Sequence, residues 1–386
     1  MFGSRKKARE GSTKKRFYKT KKFKTFVVVL VIILVIIGYF GWKTGFILNK
    51  ISGSHGLSLG SLLGGGTTPQ SQDGRVNVLL LGMRGADDPH GGLLADSIIV
   101  ASLDTKNNKV AMISVPRDLF VQIPDTNERG KINSVYAHWE GSGQGKGIPE
   151  MEKMMETITG LKIDHAIVIN FTGFQKLIDA VGGVDVRLPK AFYETKQFVE
   201  GNECGGTFTL PAGINHLNGE KALCYSRARE QTNDFDRSKR QQLILKALRD
   251  KMTSLGTLAD FGKMNNILNI IGDNVKTDMT PDEMKGFYNQ YSSMKDADVI
   301  QRVFENSDKG LLKVPDGNSS FGYILIPIAG QDNFSQLQDA SLNVFTQAAQ
   351  GDTAPVVQSG APAATPTATK PATKSTTSSP ATPTKK

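Results

Sequence analysis

The central part of the chain alternates between short apolar runs and longer amphipathic segments. The run RVNVLLLG at residues 75–82 is continuous in its apolar residues, as is typical of a strand buried in a sheet. The runs DSIIVASLD and KVAMISVP flank the turn TKNN at residues 105–108, and this arrangement predicts a β-hairpin. Further strands are predicted at DHAIVINF, DVIQRVF and GYILIP, which begin at residues 164, 298 and 322.

Helical patterns lie between these strands. Residues 149–160 begin with a proline, which suits a first helical turn, and end with Gly160, which is typical of a helix end. Thr280 and Glu283 have the spacing of a capping box. Strands that alternate with helices predict an α/β fold, in which one layered α/β/α domain with a mixed β-sheet spans residues 74–350. The other predicted helices are 172–183, 234–252, 258–273, 280–294 and 333–349.

The segments outside this domain have different compositions. Residues 46–73 are rich in Gly and Ser and are predicted to form a flexible linker. Residues 351–386 consist mainly of Pro, Thr, Ala and Ser with lysines and without aromatic residues, which predicts a disordered tail.

A membrane anchor is predicted at residues 25–45. The uncharged run from Phe26 to Trp42 would span about 26 Å as a helix, just enough to cross a bilayer, and no signal-peptidase-like A-x-A sequence follows it. The preceding residues 1–24 hold eleven Lys and Arg against one Glu, which predicts a cytoplasmic N-terminus and an extracellular main domain.

The formal charge of +10 belongs entirely to residues 1–24, so the rest of the chain sums to zero. This distribution argues against a nucleic-acid-binding protein, whose folded domain should itself be basic. The two cysteines, Cys204 and Cys224, are compatible with one disulfide in an exported domain or with two buried thiols. The five histidines form no cluster in the sequence, and a structural zinc site is therefore not expected.

Charged side chains accompany the apolar runs at four places. In the segment at residues 234–252, Asp234, Arg237 and Gln241 share one helical face with Ile244 and Leu248, so this face should point into the protein. Guanidinium groups bind phosphate oxygens well, and the pattern therefore favours an anion site over a solvated surface. The candidate residues are Arg84, Asp87, Asp88 and Asp96 in a Gly-rich loop, Arg117 and Asp118 after a strand, Lys131 and Asn133, and Arg227, Arg229, Arg237, Arg240 and Gln241.

The arginines at residues 227 and 229 alternate, so in an extended chain they would point the same way. Arg117 and Asp118 have a simpler alternative, since a pair of this kind at a strand end can be a surface ion pair of small energetic value.

The ordered set of motifs VNVLLLG, ISVPRDLFVQIP, KIN, FTGFQKLIDAVGGVDV, HLNGEKALCYSRARE and DFDRSKRQQ resembles the LytR-CpsA-Psr family of cell-wall enzymes. The resemblance implies a magnesium-dependent phosphotransferase outside the membrane. Such an enzyme moves a glycopolymer from a polyprenyl-pyrophosphate carrier onto peptidoglycan through a phosphodiester. Residues 174–183 and 119–124 are candidates for lining a long apolar pocket that holds the polyprenyl tail.

The resemblance also implies roles for individual residues. Arg117 matches the arginine of the family's PRD motif and is expected to be catalytic and to grip the pyrophosphate. Asp96 matches the aspartate of an R-x-D motif and is expected to bind Mg²⁺ and activate the acceptor. Lys131 lies in the family's K-I-N segment. The remaining residues expected at the pyrophosphate are Arg227 and Arg229, which match an R-x-R pair, Arg237 and Gln241 from the following helix, and Arg240.

The sequence departs from the family at the R-x-D motif, because Leu94 occupies the position of the arginine. Arg84 stands where an acid is common, and we predict that it supplies the missing guanidinium; the alternative is that Arg84 is a solvent-facing loop residue. Asp87 or Asp88 would then supply the missing carboxylate for Mg²⁺. Because of this departure, two alternatives remain open: a lipid-pyrophosphatase that uses water as the acceptor, and a non-catalytic polyprenyl-phosphate-binding regulator of wall assembly.

Overall fold

The computed structural model of the protein describes residues 74–86, 88, 92–199, 203–254, 270, 272–280, 283, 294, 297–316 and 319–346. Among these residues, no helix has both the length and the apolar character needed to cross a membrane. The segments predicted as basic tail, anchor, linker and C-terminal tail lie outside the described residues. Asp87 and most of the helices predicted at 258–273 and 280–294 also lie outside them.

A six-stranded mixed sheet forms the centre of the structure. Four of its strands run in one direction, and the other two run in the opposite direction. The predicted hairpin is confirmed by the pairing of Asp104 with Lys109. In spatial order the strands are β11 (Val275–Thr277), β6 (His165–Asn170), β1 (Arg75–Met83), β2 (Ser97–Asp104), β3 (Lys109–Ser114) and β12 (Asp298–Val303). Strands β2 and β11 are the two that oppose the others.

In addition to the central sheet, the described residues form four two-stranded ribbons. The strand predicted at residues 322–327 is reduced to two residues, although Leu325 also forms a parallel bridge with Leu119. The ribbons are β4 (Phe120–Gln122) with β5 (Arg129–Lys131), β7 (Val184–Leu188) with β10 (Gly213–Leu217), β8 (Phe192–Glu194) with β9 (Phe208–Leu210), and β13 (Leu312–Lys313) with β14 (Ile326–Pro327).

The helices largely follow the sequence pattern. Gly160 ends its helix with a φ of +67°, a left-handed conformation that glycine adopts without strain. Thr280 and Glu283 exchange the hydrogen bonds of the predicted capping box. The helix at the C-terminal side is shorter than predicted and ends at Leu342. The described helices are α1 (Asn133–Gly141), α2 (Gly147–Thr159), α3 (Phe171–Ala180), α4 (Gly219–Arg227), α5 (Asp234–Ser254) and α6 (Ser335–Leu342), with short 3-10 turns at Glu203–Gly205 and Gly272–Asn274.

Alternate strand residues pack into two cores, one on each face of the sheet. Val76 and Val78 face a core that includes α3, α4 and α5, whereas Leu79 and Leu81 face a core that includes α1, α2 and α6. The period of two along β1 therefore divides its side chains between two helical layers. The layered α/β/α arrangement with a mixed sheet is confirmed.

The four co-directional strands end at the same edge of the sheet. In open α/β sheets, ligands bind outside the carboxyl ends of such strands. The candidate residues before β2 and after β1 and β3 lie at this edge, and β6 leads there directly into α3.

Candidate active site

Arg117 lies at the centre of the charged residues. Its Nη1 donates to Asp96 Oδ1 at 2.6 Å, and its Nε donates to Asp234 Oδ2 at 3.0 Å and lies 3.6 Å from Asp118 Oδ2. Burial lowers the pKa of Arg117, but the three carboxylates more than reverse this effect, so the pKa lies above its ordinary value. Arg117 is therefore a fixed positive charge that joins its own loop to the loop before β2 and to the start of α5.

Arg237 supports the same cluster from α5. Its Nη1 lies 3.2 Å from Asp234 Oδ1, and its Nη2 donates to the backbone oxygen of Asp96 at 3.0 Å. The residue is 6% exposed, and its Nε is buried without a hydrogen-bond partner. Burial lowers the pKa of Arg237, Asp234 opposes this shift, and the positive charge of Arg117 adds to it.

The inward direction of this helical face is confirmed, since Ile244 and Leu248 on the same stripe are fully buried. Asp234 is the first residue of α5, and it accepts from Arg117 and pairs with Arg237. A carboxylate at a helix N-terminus is itself favourable, which helps to explain why an acid occupies the centre of an arginine cluster.

Arg227 and Arg229 do not lie on an extended strand, because Arg227 is the last residue of α4. The guanidinium of Arg227 lies over the ring of Phe171, 4.9 Å from its centroid, while Arg229 Nη1 lies 3.6 Å from Asp234 Oδ1. Gln197 fixes both residues, since its carboxamide donates to the backbone oxygen of Arg227 at 3.0 Å and accepts from the backbone nitrogen of Arg229 at 2.7 Å. No local sequence signal marks Gln197 as part of the site.

Arg240 is directed away from the diphosphate position that the sequence suggested. Its Nε donates to the Tyr225 oxygen at 3.0 Å, and its Nη2 donates to the Ala228 oxygen and to Thr232 Oγ1. Because Arg240 is 7% exposed and its guanidinium is bonded to these acceptors, it holds the arginine-bearing segment in place. Burial lowers its pKa, as expected for a cation whose nearest partners are mainly neutral.

Gln241 and Lys131 have simpler surroundings. Gln241 Nε2 donates weakly to the Ser226 oxygen at 3.3 Å, and Lys131 Nζ donates to Asp118 Oδ1 at 2.7 Å. Asn133 donates its backbone N–H to the Arg117 oxygen at 3.3 Å. The K-I-N segment therefore holds the Arg117 loop and adds one positive charge beside it.

The Gly-rich loop brings Gly85 and Gly92 together. Gly85 N–H donates to the Gly92 oxygen at 2.9 Å, and a Cβ atom at Gly92 would lie only 2.3 Å from the Gly85 oxygen. Arg84 Nη1 lies 3.3 Å from Asp88 Oδ2, and its guanidinium is 5.8 Å from the centroid of the Phe171 ring. Arg84 and Arg227 therefore share one aromatic ring, which places Arg84 with the site arginines.

An apolar cavity of about 100 Å³ adjoins this pair of arginines. Arg227 and Gln241 contribute polar groups, while most of the wall is apolar. Phe174 lines the cavity as expected, but Phe120, from the other predicted lining segment, packs instead with Ile324 and Ile326. The remaining lining residues are Leu80, Leu81, Gly82, Ser97, Ile99, Ile169, Asn170, Phe171, Leu223, Ser226 and Leu245.

The carboxylates have limited capacity for a metal ion on their own. Within the described residues, no group of three or more His, Cys, Asp or Glu side chains has the proximity to hold a metal. Asp96 is paired with Arg117, and Asp88 is paired with Arg84. Asp87, the third predicted ligand, lies outside the described residues.

Cys204 and Cys224 form a disulfide with their Cα atoms 6.0 Å apart. Cys224 lies on α4, one turn before Arg227. The disulfide thus ties the helix that ends in the arginine segment to the turn at Glu203–Gly205.

The chain matches the model of a known protein family over most of its length. The model of the LytR_cpsA_psr family matches residues 59–324. The chain belongs to the LytR-CpsA-Psr family. The match includes the whole arginine cluster and also the last part of the predicted linker.

Curated relatives within the LytR-CpsA-Psr family include two wall-polymer transferases. The chain is 30% identical to the polyisoprenyl-teichoic acid–peptidoglycan teichoic acid transferase TagU of Bacillus cereus over 276 residues, which cover 70% of this chain and 79% of the relative. It is 34% identical to the corresponding transferase TagV of Bacillus subtilis over 208 residues, which cover 52% of this chain and 50% of the relative.

Solved structures share the same fold. The crystal structure of B. subtilis TagV matches with a TM-score of 0.52 and 28% identity over 71% of this chain and 98% of that one. A structure of TagT bound to LI-WTA matches with a TM-score of 0.50 and 23% identity over 70% of this chain and 89% of that one, and it supports the fold alone.

Proposed function

We propose that this protein transfers a glycopolymer from a polyprenyl-pyrophosphate carrier to a hydroxyl group of peptidoglycan, forming a phosphodiester. The observation that carries the proposal is the position of Arg227 and Gln241 in the wall of a largely apolar cavity, next to the cluster around Arg117. A polyprenyl diphosphate has matching parts, since its apolar chain suits the cavity and its charged end suits the arginines. The names of the TagU and TagV relatives support this substrate class.

Two pairs of arginines would bind the two phosphates of the diphosphate. Arg227 and Arg84 flank Phe171 beside the cavity, and they would neutralise the phosphate next to the polyprenyl tail. Arg117 and Arg229 are joined through Asp234 and would bind the phosphate that carries the glycopolymer. Phosphoryl transfer depends mainly on such positioning and charge neutralisation.

The proposed reaction breaks one P–O bond and forms another. The acceptor hydroxyl oxygen attacks the phosphorus that carries the glycopolymer. The bond from this phosphorus to the bridging oxygen breaks, and polyprenyl phosphate leaves with the electron pair. The hydroxyl proton passes to the carboxylate of Asp96, whose side chain is 23% exposed beside Arg117.

Asp96 would also contribute to a Mg²⁺ site. Magnesium is commonly held by one or two carboxylates together with substrate phosphates, so the oxygen donors here fit a site that the diphosphate completes. Asp87 or Asp88 of the Gly-rich loop would be the second carboxylate. When bound, the ion would neutralise phosphate charge that the arginines leave uncompensated.

The protein is proposed to work outside the cell, held by a single membrane helix at residues 25–45. The support is the apolar run together with the basic residues 1–24 before it. Protease added to intact spheroplasts should digest the main domain and leave a short anchor fragment. A full-length chain that survives, while an exported control protein is digested, would reverse the proposed orientation.

A reconstituted assay separates the proposed transferase from the two alternatives. Purified protein is incubated with polyprenyl-pyrophosphate-linked glycopolymer and Mg²⁺, with and without peptidoglycan oligomers. Transfer yields a polymer–peptidoglycan phosphodiester only when the oligomer is present. A hydrolase would release phosphorylated polymer without the oligomer, and a regulator would bind the lipid without turnover.

The variant Asp96→Asn tests the site assignment in the same assay. It should retain most of the affinity for lipid pyrophosphate, because the arginines remain, and it should lose turnover. Arg227→Ala should instead weaken lipid binding by about 1.5–3 kcal/mol, the range for a lost charged hydrogen bond. Transfer by Asp96→Asn at the wild-type rate would contradict the role of Asp96.

A further inference from the structure

A second surface beside Arg117 carries exposed aromatic side chains. Phe321 is 49% exposed and Tyr323 is 48% exposed, although both residues belong to the folded domain. Phe321 lies in a β-turn closed by the N–H of Gly322, which donates to the Ser319 oxygen at 3.1 Å. Its ring packs on the ring of Phe120 at an interplanar angle of 52°, with the centroids 4.9 Å apart.

The backbone fixes this surface next to the reaction centre. Leu325 N–H donates to the Asp118 oxygen at 3.0 Å, and Phe120 N–H donates to the Leu325 oxygen at 2.8 Å. The bridge between Leu119 and Leu325 is parallel, so the residues just before Leu325 lie alongside the residues just before Leu119. Tyr323 therefore lies beside the loop that carries Arg117.

The charge environment of Tyr323 agrees with this placement. Burial raises the pKa of its phenol, and the carboxylates of Asp118 and Asp234 raise it further. Both acids contact Arg117, so the phenol lies within electrostatic range of the cluster. Asn306 Nδ2 donates to the Tyr323 hydroxyl at 3.4 Å, which adds an exposed carboxamide at the rim.

We propose that Phe321, Tyr323 and Asn306 form a pyranose-binding subsite that receives the peptidoglycan acceptor. The faces of aromatic rings pack well against the C–H faces of sugar rings, and the phenol and carboxamide can bond to sugar hydroxyls. The inference deepens the proposed function, on which it rests.

The direction of the reaction favours the acceptor over the donor polymer as the occupant. In an in-line displacement, the attacking oxygen approaches phosphorus from the side opposite the leaving group. The leaving polyprenyl phosphate occupies the side of Arg227, whose guanidinium lines the cavity. Tyr323 flanks the Arg117 loop, and neither it nor Phe321 lines that cavity, so the aromatic surface is available to the attacking sugar.

The test measures sugar binding directly and independently of transfer. Saturation-transfer NMR is recorded with the wild-type protein and two probes, namely phosphate-free peptidoglycan glycan oligomers and lipid-free glycopolymer. Protons on the pyranose rings of the peptidoglycan oligomer should receive saturation, and this signal should fall in Phe321→Ala with Tyr323→Ala. A signal from the glycopolymer alone would overturn the assignment to the acceptor.

A matched control and a kinetic readout complete the experiment. Tyr193, an aromatic residue that is 58% exposed on β8, provides the control variant Tyr193→Ala, which should bind and transfer like the wild type. The double variant should show about a tenfold rise in KM for the acceptor, with unchanged affinity for lipid pyrophosphate. Circular dichroism and the thermal unfolding midpoint verify that it is folded.

The outcomes distinguish the two proposals. If the wild type transfers polymer and the folded double variant has the same acceptor KM and the same NMR signal, the aromatic subsite is wrong and the transfer proposal stands. If the wild type transfers nothing in the presence of Mg²⁺ and both substrates, the transfer proposal fails. In that case, glycan binding that the double variant loses would still support the subsite.

Discussion

Two groups of titratable side chains lie at opposite edges of the central sheet, and they differ in how their charges are balanced. At the carboxyl edge, Arg117 contacts Asp96, Asp118 and Asp234, and Arg237 joins the same cluster. Each of these three carboxylates therefore has a guanidinium partner, although the side chains of the cluster are largely removed from water.

At the other edge, Glu152 on α2 lies near an excess of acids. Burial, followed by the negative charges of Asp278, Glu156 and Asp164, raises the pKa of Glu152 to about 8. Among the described residues, Lys162 pairs with Asp164, and His165 Nδ1 lies 3.3 Å from Asp278 Oδ2. Within the described part of the chain, Glu152 has no ion-pair partner and its raised pKa favours the protonated form, whereas Asp96, Asp118 and Asp234 at the carboxyl edge each contact an arginine.

Removing the central cation, Arg117, should give the largest effect. The acids at the carboxyl edge would then lose their main cationic partner and resemble the group around Glu152. In Arg117→Met, Asp96 and Asp234 lose their shortest cationic contact. Breaking a buried ion pair from one side costs about 3–5 kcal/mol of stability, and transfer should fall more than about 100-fold. Urea denaturation and the polymer-transfer assay measure the two effects.

Arg117→Lys is the matched control for this change. It retains the charge, but its single ammonium lacks the planar fork that reaches Asp96 and Asp234 together. Stability should therefore recover more than transfer does. If Arg117→Met unfolds at the same urea concentration as the wild type, the carboxylates do not depend on this arginine.

Removal of the disulfide should loosen the carboxyl edge without changing any of its charges. Cys204 and Cys224 are separated by 20 residues, and closing a loop of this size stabilises a protein by about 3 kcal/mol in the chain-entropy model. Cys204→Ser with Cys224→Ser should lower stability by this amount. It should also weaken lipid-pyrophosphate binding, since α4 ends in Arg227.

The unfolding free energy of the Ser variant is compared with that of the reduced wild-type protein, which should behave in the same way. Alkylation of both thiols in the wild type without any reductant would show that the bond is absent in solution. Equal stability of the oxidised wild type and the variant would contradict its structural contribution.

Moving the guanidinium from residue 84 to residue 94 should have a smaller effect, and only on the rate of polymer transfer. Arg84→Ala removes a cation beside Phe171 and should lower transfer about tenfold, which corresponds to about 1.4 kcal/mol. Arg84→Ala with Leu94→Arg should regain part of this loss, because the guanidinium returns at the family's usual position. Coupling between the two changes would indicate a shared site.

Leu94→Arg alone is the control for this pair, and it should not raise transfer in the presence of Arg84. A fully active Arg84→Ala variant would mean that Asp96 works without help from residue 84.

The sequence predicts the scaffold of both edges better than it predicts their contacts. The apolar run of β1 and the stripe through Arg237, Ile244 and Leu248 follow local periodicity, which the final fold retains. The helix α4 was missed, although Asn218 provides an N-cap signal by accepting from the backbone N–H of Lys221. The alternation of Arg227 and Arg229 instead favoured an extended segment.

The roles of individual charged groups depend on residues far apart in the chain. Arg117 meets Asp234 across 117 positions, and Gln197 meets the arginine segment across about 30. Arg240 resembles its neighbours in the sequence, yet three acceptors near the end of α4 determine its direction. Such pairings depend on how the helices pack on the sheet, which local periodicity does not specify.

The acidic edge provides the prediction with the smallest expected effect. Between its ordinary pKa of 4.5 and about 8, Glu152 holds a proton in the native state that the unfolded chain releases. The native state then binds more protons than the unfolded state, so this contribution to stability declines as the pH rises through that window. It is fully present below about pH 4.5 and absent above about pH 8.

Glu152→Gln cannot ionise and should remove this decline. We compare the thermal unfolding midpoint of the variant with that of the wild type at two pH values. The variant minus wild-type difference should be about 2–4 °C larger at pH 8.5 than at pH 5, which corresponds to about 1 kcal/mol for a domain of this size. Glu220→Gln, at an exposed position of α4, controls for the loss of a negative charge in general. Transfer at pH 7 should stay unchanged, because Glu152 lies at the edge opposite Arg117. If the difference between variant and wild type is the same at both pH values, Glu152 is ionised in the native protein and its acidic neighbours do not hold its proton.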